Sequence, residues 1–469
     1  LIIDGYGSTF DESGKKMISL LKPQVSRRQV ALTDVLSTYK SLRVKALLGV
    51  FLGYVAYYIV RNNFALSTPY LKHYLNLSTT QIGLLSSYML IAYGISKGIM
   101  SSIADKADPK RYMALGLILC VIANILLGFS TAFWMFAVLV IFNGFFQGMG
   151  VGPCFITISN WFPRKERGSA SAIWNMSHNL GGAIVAPIVA LGFYLVGQDH
   201  WRIASYQIPA LVALCFVFMI LLLCKGIPTN EGLPPLAQIL PKEASLKDEV
   251  KGEKAPEDMS ARQIFMTYVF RNKDAWLVSW MDAFVYTVRF GMISWLPLYL
   301  LEVKGYTKIE MGIAFLTFEI VAMPATLFAG YISDKLFKGY RMPPAIISMV
   351  LIFFGVIGYW QSETLGWTIF FAAMVGCLIY IPQFLASVQT MEVVPSFAVG
   401  SAVGLRGFMS YIVGALIGTS IFGIMVDLFG WEAGFIVLQT AVILCILTSL
   451  WIHIRTKKLQ RGQLHKTNA

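Results

Sequence analysis

The sequence predicts an all-α membrane protein of twelve spanning helices in two pseudo-symmetric six-helix halves, and three observations carry that prediction. Hydrophobic residues make up 56% of the chain and charged residues only 13%, with a mean hydropathy of +0.64; a soluble domain carries about 25% charge. About twelve apolar stretches reach the roughly 20 residues that a helix needs to cross the hydrocarbon core. One phrase with an arginine inside an apolar stretch occurs twice: Tyr58-Ile-Val-Arg61 with Pro69 eight residues on, and Tyr286-Thr-Val-Arg289 with Pro297 eight residues on.

The spans fall near 46–68, 82–103, 112–130, 132–157, 172–196, 204–224, 276–300, 309–332, 344–361, 366–390, 399–422 and 433–453. The expected organisation is an N-terminal segment 1–45, a first half 46–224, a polar linker 225–275, a second half 276–453 and a tail 454–469. The linker holds Pro228, Pro234, Pro235, Pro241 and many Lys and Glu, the composition of an extended connector. The chain opens on Leu1, and Met17 begins Met-Ile-Ser-Leu-Leu-Lys, so the native start is expected at Met17 with residues 1–16 outside it.

The net charge of +13 would suit a nucleic-acid partner, but topology accounts for it without one. Of the 38 lysines and arginines, Arg61, Lys97, Arg289 and Arg406 lie inside spans. With both termini inside, all but four of the rest fall on the inner side. That is the positive-inside pattern, and it places basic residues against anionic lipid at the inner face. The expected location is a bacterial inner membrane with both termini cytoplasmic. The six cysteines (Cys120, Cys154, Cys215, Cys224, Cys377 and Cys445) all lie in spans, without disulfide or metal-ligand spacing, and read as small core residues. No metal cluster, nucleophile–base constellation or nucleotide loop stands out, so neither an enzyme nor a cofactor is expected. Gly148, Gly150 and Gly152 look loop-like but lie in a span, where they allow close helix packing.

The halves repeat beyond the arginine phrase. Ser101-Ser-Ile-Ala-Asp105-Lys106 after the second span matches Gly330-Tyr-Ile-Ser-Asp334-Lys335 after the eighth. Met176-Ser-His178-Asn-Leu-Gly181 matches Met409-Ser-Tyr411-Ile-Val-Gly414. Three features in one order at near-constant separation argue for duplication. The Asp105 and Asp334 turns read as latches, in which an aspartate pairs with basic residues or caps a helix terminus in one state, or as plain positive-inside anchors.

A permanently charged guanidinium in hydrocarbon is expensive, so it faces a bundle interior and marks a substrate path. Arg61 and Arg289 lie about 14 residues from the inner ends of their spans, roughly 20 Å at 1.5 Å per residue, too deep to snorkel. Tyr54, Tyr58 and Arg61 share a helix face by their spacing, as do Tyr286 and Arg289. Two opposed guanidinium forks suit a phosphoryl group, each donating parallel N–H bonds to two oxygens.

Gly53-Tyr54-Val-Ala-Tyr57-Tyr58-Ile-Val-Arg61-Asn62-Asn63-Phe64, Tyr93-Gly-Ile-Ser-Lys97, Trp174-Asn-Met-Ser-His178-Asn-Leu-Gly-Gly and the paired Asp-Lys turns resemble the major facilitator superfamily, in its organophosphate:phosphate antiporter branch, over residues 40–455. Val399-Gly-Ser-Ala-Val-Gly-Leu-Arg-Gly-Phe-Met-Ser-Tyr411 is closest to the branch members that carry phosphoglycerates. The resemblance implies uptake of 3-phosphoglycerate, 2-phosphoglycerate or phosphoenolpyruvate in exchange for inorganic phosphate by alternating access, at a midplane site. Hexose phosphate or glycerol 3-phosphate exchange, or a transporter-like sensor of organic phosphates, are the alternatives. It further implies that Arg61 and Arg289 bind phosphate, that His178 joins the site, that Tyr54, Tyr58, Tyr286, Tyr380 and Tyr411 line it, and that Lys97 matches a second-span lysine. The position after the first arginine, often lysine in relatives, is Asn62, which puts a salt bridge from there to Asp282 in doubt. A fourth-span tryptophan of glycerol-phosphate members is Val151 here.

Lys97 is also within snorkelling reach of the inner rim, and His178 could be a satisfied core histidine whose titration near neutrality matches phosphate. Arg406 lacks a counter-charge on its own helix, because the acidic residue three positions earlier in sugar-phosphate relatives is Val403. It is either a third cation for the phosphoglycerate carboxylate or a rim anchor. Glu319 and Asp282 are buried acids that must pair or protonate; they read as partners of the basic residues, with proton coupling the alternative. Two covalently joined halves need no second copy to form the site, so a monomer is expected.

Overall fold

Several spanning helices are interrupted or capped by residues the sequence makes visible, and the first helix sets the pattern. The computed structural model describes residues 26, 29–104, 107–239, 261–337, 339–395 and 398–467. Helix α1 is Val35–Leu75, starting eleven residues before the expected span. Pro69 inside it cannot donate to the Ala65 carbonyl, and the Thr68 hydroxyl takes that acceptor at 2.9 Å. Asn76 ends the helix in the left-handed region at φ 51°, a conformation its short polar side chain tolerates.

The remaining long helices follow in order: α2 Thr79–Ala104, α3 Pro109–Leu127, α4 Phe133–Trp161, α5 Arg164–Val196 and α6 Ile203–Leu223. The second half holds α7 Lys273–Glu302, α8 Lys308–Ile320 resuming as Met323–Lys335, α9 Met342–Gln361, α10 Leu365–Glu392, α11 Ser401–Phe429 and α12 Trp431–Thr467. No strand occurs among the described residues. The described parts of the connector hold only short pieces, Pro228–Glu231, Leu236–Ile239, Ala261–Ile264 and Phe265–Phe270. Caps start several helices: Asp108 accepts from the Arg111 N–H ahead of α3, Asn272 from the Asp274 and Ala275 N–H groups ahead of α7, and Thr307 forms a capping box with Glu310 at α8.

Ten of these helices are long and apolar enough to cross a membrane by length and composition. The two outside that set are α2 and α8, which bring the bundle to twelve. Polar residues are among their buried positions: α2 buries Ser86, Ser87 and Ser96, and α8 buries Glu319. α8 is broken at Val321 and Ala322 just before Pro324. Of those polar residues, Ser87 and Glu319 lie where the two halves meet. Across that meeting surface α2 packs on α11, α5 on α8 and α1 on α7.

The duplication reaches the packing itself. A side chain on Gly181 of α5 would meet Val55 O at 2.5 Å and Tyr58 Cβ at 2.7 Å of α1; its counterpart Gly414 of α11 packs on the Ala283 carbonyl and would meet Tyr286 Cβ at 2.9 Å of α7. Gly144 of α4 lies against the Met89 carbonyl of α2, and Gly376 of α10 against the Phe318 carbonyl of α8 in the same way. Repeat-related glycines thus let repeat-related helix pairs approach backbone to backbone. Gly148 does act as a packing glycine, against Ser96 and Lys97 of α2, and Gly150 against the Tyr57 ring. The chain nevertheless turns at 148–150 between Phe133–Gln147 and Val151–Trp161.

Polar cross-links differ between the two ends of the bundle. On the face opposite the termini, Lys72 of α1 pairs with Glu302 of α7 at 2.7 Å, and Asp427 of α11 accepts from the Thr79 and Thr80 N–H groups of α2 at 3.1 and 2.5 Å. Deeper in, the Ser87 hydroxyl bonds those of Thr419 and Ser420 at 2.5 and 2.6 Å. The ion pairs described near the termini stay within one half: Arg43–Glu166, Arg341–Glu392 and Arg455–Asp274. Asp105 lies outside the described residues, as does the side chain of Asp334.

Candidate functional site

The first half grips α1 through amides before any ligand is considered. The Asn124 and Asn143 side chains both donate to the Val60 carbonyl, at 3.0 and 2.9 Å, and Gln147 donates to Tyr57 O at 2.9 Å. These bonds fix the backbone on either side of Tyr58 and hold Arg61 at one rotation about the helix axis. Arg61 is 4% exposed. Its guanidinium lies 4.2 Å from the Tyr93 ring centre and 5.2 Å from that of Tyr58, faces that attract a cation. Its Nη1 has no hydrogen-bond partner.

Arg289 is equally buried and differently held. Nη2 donates to the Tyr380 hydroxyl at 2.9 Å and Nη1 to Gln383 Oε1 at 3.1 Å, while Nε has no partner. Gln383 in turn donates to the Tyr286 hydroxyl at 3.2 Å. Among the described residues neither arginine has a carboxylate within ion-pair distance. Both charges rest on neutral dipoles and ring faces.

The tyrosines and the histidine join the two arginines across the halves. His178 of α5 stands between the rings of Tyr58 and Tyr380, at 5.4 and 5.5 Å, with Nε2 unpartnered. Tyr411 of α11 meets Tyr93 at 5.1 Å and Tyr286 at 5.1 Å, and the Lys97 ammonium is 5.9 Å from its ring centre. Tyr54 shares a 3.4 Å hydroxyl contact with Tyr93 and packs on Trp174. All eight residues, Arg61, Arg289, His178, Tyr54, Tyr58, Tyr286, Tyr380 and Tyr411, therefore gather in one interior cluster. Lys97 sits at its half-buried margin.

Glu319 lies at the seam, 1% exposed and without a cation. Asn62 of α1 donates to it at 3.4 Å, Asn179 of α5 at 3.2 Å and the Tyr380 hydroxyl of α10 at 3.4 Å. Tyr380 thus accepts from Arg289 and donates to Glu319. Asn62, which the sequence left without a partner, is turned to Glu319 rather than to Asp282. A side chain on Gly182 would fall 2.8 Å from Glu319 Cδ and 2.9 Å from Asn62 Nδ2. Gly182→Ala is accordingly expected to displace the carboxylate and destabilise the protein by about 1–3 kcal/mol. Thermal melting reads this directly; an unchanged melting temperature would mean the carboxylate has room to move.

Arg406 is not without a counter-charge. Its Nη1 lies 2.7 Å from Asp282 Oδ2, which also accepts from Ser410 at 2.6 Å. The acid that its own helix lacks at Val403 comes from α7, where Asp282 is the buried acid that partners the arginine. The pair lies two turns from Arg289 along α7, roughly 10 Å, on the side of the chain termini. Asp282 Oδ1 and Arg406 Nε have no partner, so the pair keeps capacity on each side.

Three participants were missing from the candidate residues. Tyr93, Gln383 and Asn179 touch the arginines or Glu319, yet each is an ordinary residue of its span. A glutamine in the middle of apolar α10 was the one available signal. Among the described residues no group of His, Cys, Asp and Glu could hold a metal ion.

Comparison with known proteins follows this geometry. The family model described as Major Facilitator Superfamily matches residues 50–419. The chain belongs to the major facilitator superfamily. Within it the chain is a member of the organophosphate:phosphate antiporter family. It is 62% identical over 445 residues to the phosphoglycerate transporter protein of Salmonella typhimurium, covering 95% of this chain and 96% of that one. It is 35% identical over 441 residues to the glycerol-3-phosphate transporter of Bacillus subtilis, covering 92% and 96%. The crystal structure of a bacterial homologue of the human lysosomal transporter Spinster, inward-facing and occupied, shares the superfamily fold with a TM-score of 0.69 at 16% identity, covering 89% of this chain and 97% of that one. The twelve helices accordingly form the major facilitator fold of a multi-pass membrane protein.

Proposed function

We propose that this protein is a secondary active transporter that takes up phosphoglycerates, namely 3-phosphoglycerate, 2-phosphoglycerate and phosphoenolpyruvate, in exchange for inorganic phosphate. Its place is the bacterial inner membrane, with both termini in the cytoplasm. The observation that carries the reading is the pair of buried arginines, one from each half, that have unused N–H donors and, among the described residues, no carboxylate within ion-pair distance. The name of the 62% identical Salmonella relative supports the substrate class.

In this reading Arg61 and Arg289 clamp the phosphoryl oxygens from opposite halves, each through planar N–H groups. His178 Nε2 and the phenols of Tyr58, Tyr286 and Tyr380 complete the shell. Arg406 takes the substrate carboxylate, which must compete with Asp282 for it. Lys97 adds positive potential at the margin. Glu319 holds the seam while the site is empty. Rocking of 46–224 against 276–453 exposes the site to each side in turn, with Asp105 and Asp334 as latches. Closing the site empty would leave two guanidiniums uncompensated in low dielectric, at a penalty of several kcal/mol. A bound anion removes that penalty, so loaded return is fast and empty return slow. The reading assigns no enzymatic step, cofactor, metal or nucleic acid, and one copy of the chain suffices.

The test is counterflow into phosphate-loaded proteoliposomes with labelled 3-phosphoglycerate, competed by glucose 6-phosphate and glycerol 3-phosphate. Uptake is expected to need internal phosphate and to resist both neutral-tailed esters. Strong competition by either ester moves the substrate to that ester, and ligand binding without uptake turns the reading to a sensor.

A further inference from the structure

A cavity whose lining includes neither Arg61 nor Arg289 lies between the halves on the face opposite the chain termini. It is a cleft of about 440 Å³ between α1, α5 and α8, lined by residues such as Leu66, Val189, Ala190, Met311 and Leu316. That volume lies within the range of about 300–1,000 Å³ typical of ligand pockets. The cleft is open to the side rather than to the arginine cluster: Tyr194 is 86% and Ile309 72% exposed at its edges.

One end is different. Lys308, the first residue of α8, reaches across the mouth of the cleft to the other half, where its ammonium donates to Gln198 Oε1 at 2.5 Å. It lies 4.7 Å from the Tyr70 ring centre and 5.3 Å from that of Phe193. Among the described residues no carboxylate is within ion-pair distance of it. The nearby Glu310 carboxylate is engaged by the Thr307 N–H and hydroxyl. Lys308 is thus a fixed, unneutralised cation at the polar end of an apolar slot. From Lys308 to Leu316 along α8 is eight residues, roughly 12 Å, and from Ala186 to Tyr194 along α5 is likewise eight residues, roughly 12 Å. Half of the ~30 Å hydrocarbon core is ~15 Å. The slot therefore covers most of one leaflet, with its charge at headgroup level.

We propose that this cleft binds one anionic phospholipid, with an acyl chain between α5 and α8 and the headgroup phosphate on Lys308 and the Gln198 amide. Charge complementarity selects the class. A net-negative headgroup satisfies the lysine, whereas a zwitterionic one brings an ammonium to the same place. A free phosphate ester has nothing to fill the apolar slot. Because α5 and α8 belong to different halves, the lipid spans their seam, and its binding is linked to their separation.

The glycine at 312 offers the test. A side chain there would meet only Ala186 Cβ, at 4.0 Å, so a larger residue projects into the slot without striking backbone. The full-length protein, delipidated in a nonionic detergent, is titrated with phosphatidylglycerol or phosphatidylcholine of identical acyl chains and read by native mass spectrometry. One phosphatidylglycerol should bind about tenfold more tightly than phosphatidylcholine, a difference of about 1.4 kcal/mol, and millimolar inorganic phosphate should not displace it. Lys308→Gln should cut the preference to less than about twofold. Gly312→Leu should lower binding of both lipids at unchanged melting temperature, and Ala190→Leu serves as the second slot-filling variant should Gly312→Leu not fold. Equal affinity for the two lipids, a preference that survives Lys308→Gln, displacement by inorganic phosphate, or a second copy of the chain in place of lipid would each overturn the proposal.

Discussion

Arg61→Met is expected to abolish phosphate exchange and, in the absence of anion, to make the protein more stable. The two effects share one cause. The Arg61 guanidinium is buried with no described carboxylate within ion-pair distance, so its desolvation is offset by the faces of Tyr93 and Tyr58. Replacing buried charge with an apolar side chain of similar volume is commonly neutral or stabilising by about 1–4 kcal/mol. It also relieves repulsion from Arg289. No acid is orphaned, since none of the described carboxylates pairs with Arg61. The same variant lacks one arm of the proposed clamp, so phosphate–phosphate exchange should fall at least about a hundredfold, near 2.7 kcal/mol at 1.4 kcal/mol per decade. Inorganic phosphate should raise the melting temperature of the parent protein and leave that of Arg61→Met unmoved. Arg61→Lys separates charge from shape: it keeps the charge but not the planar fork, and should also lose exchange. Retention of more than a third of parental exchange by Arg61→Lys would sink the fork argument.

The second large effect is expected at Asp282 and Arg406, with the opposite sign for stability. Arg406→Ala leaves a carboxylate that is fully buried and held by Ser410 alone. Breaking one side of a buried pair costs about 3–5 kcal/mol, so Arg406→Ala should melt markedly lower. Arg406→Gln with Asp282→Asn removes both charges and should recover most of that loss. The double variant is the informative one for transport, because it folds without the ion pair. It should retain phosphate–phosphate exchange and lose phosphoglycerate uptake by about tenfold or more, the value of a charge-assisted carboxylate contact. Asp282→Asn alone frees Arg406 from its competitor and should tighten phosphoglycerate binding without tightening phosphate. Parallel losses of both substrates in the double variant would reduce Arg406 to a structural role.

These two predictions diverge because the tertiary structure treats similar residues differently. From the sequence, Arg61, Arg289 and Arg406 are all arginines within apolar spans. The fold leaves the first two facing tyrosines and amides and gives the third an aspartate. The aspartate is 124 residues away in the chain. No periodicity or spacing links the two positions, since each lies on its own helix in an otherwise apolar context. Gln383 and Tyr93 escaped notice for the same reason: each becomes a site residue only when α10 is set beside α7, or α2 beside α1.

By itself the sequence determined the class, the number of spanning helices, the duplication and the burial of the two arginines. These follow from strong, local terms: the length of apolar runs, the expense of charge in hydrocarbon, the helical spacing of Tyr54, Tyr58 and Arg61, and repetition of a phrase. The clustering of His178 with Tyr58 and Tyr380 was legible only through resemblance to relatives. Only the tertiary structure decided which charge meets which partner, that Glu319 rests among neutral donors, and that glycines such as Gly144 and Gly376 let helix pairs pack alike in both halves. Pairing across a helix interface depends on the rotation and height of two rigid cylinders, and those are set by the whole bundle rather than by any one segment.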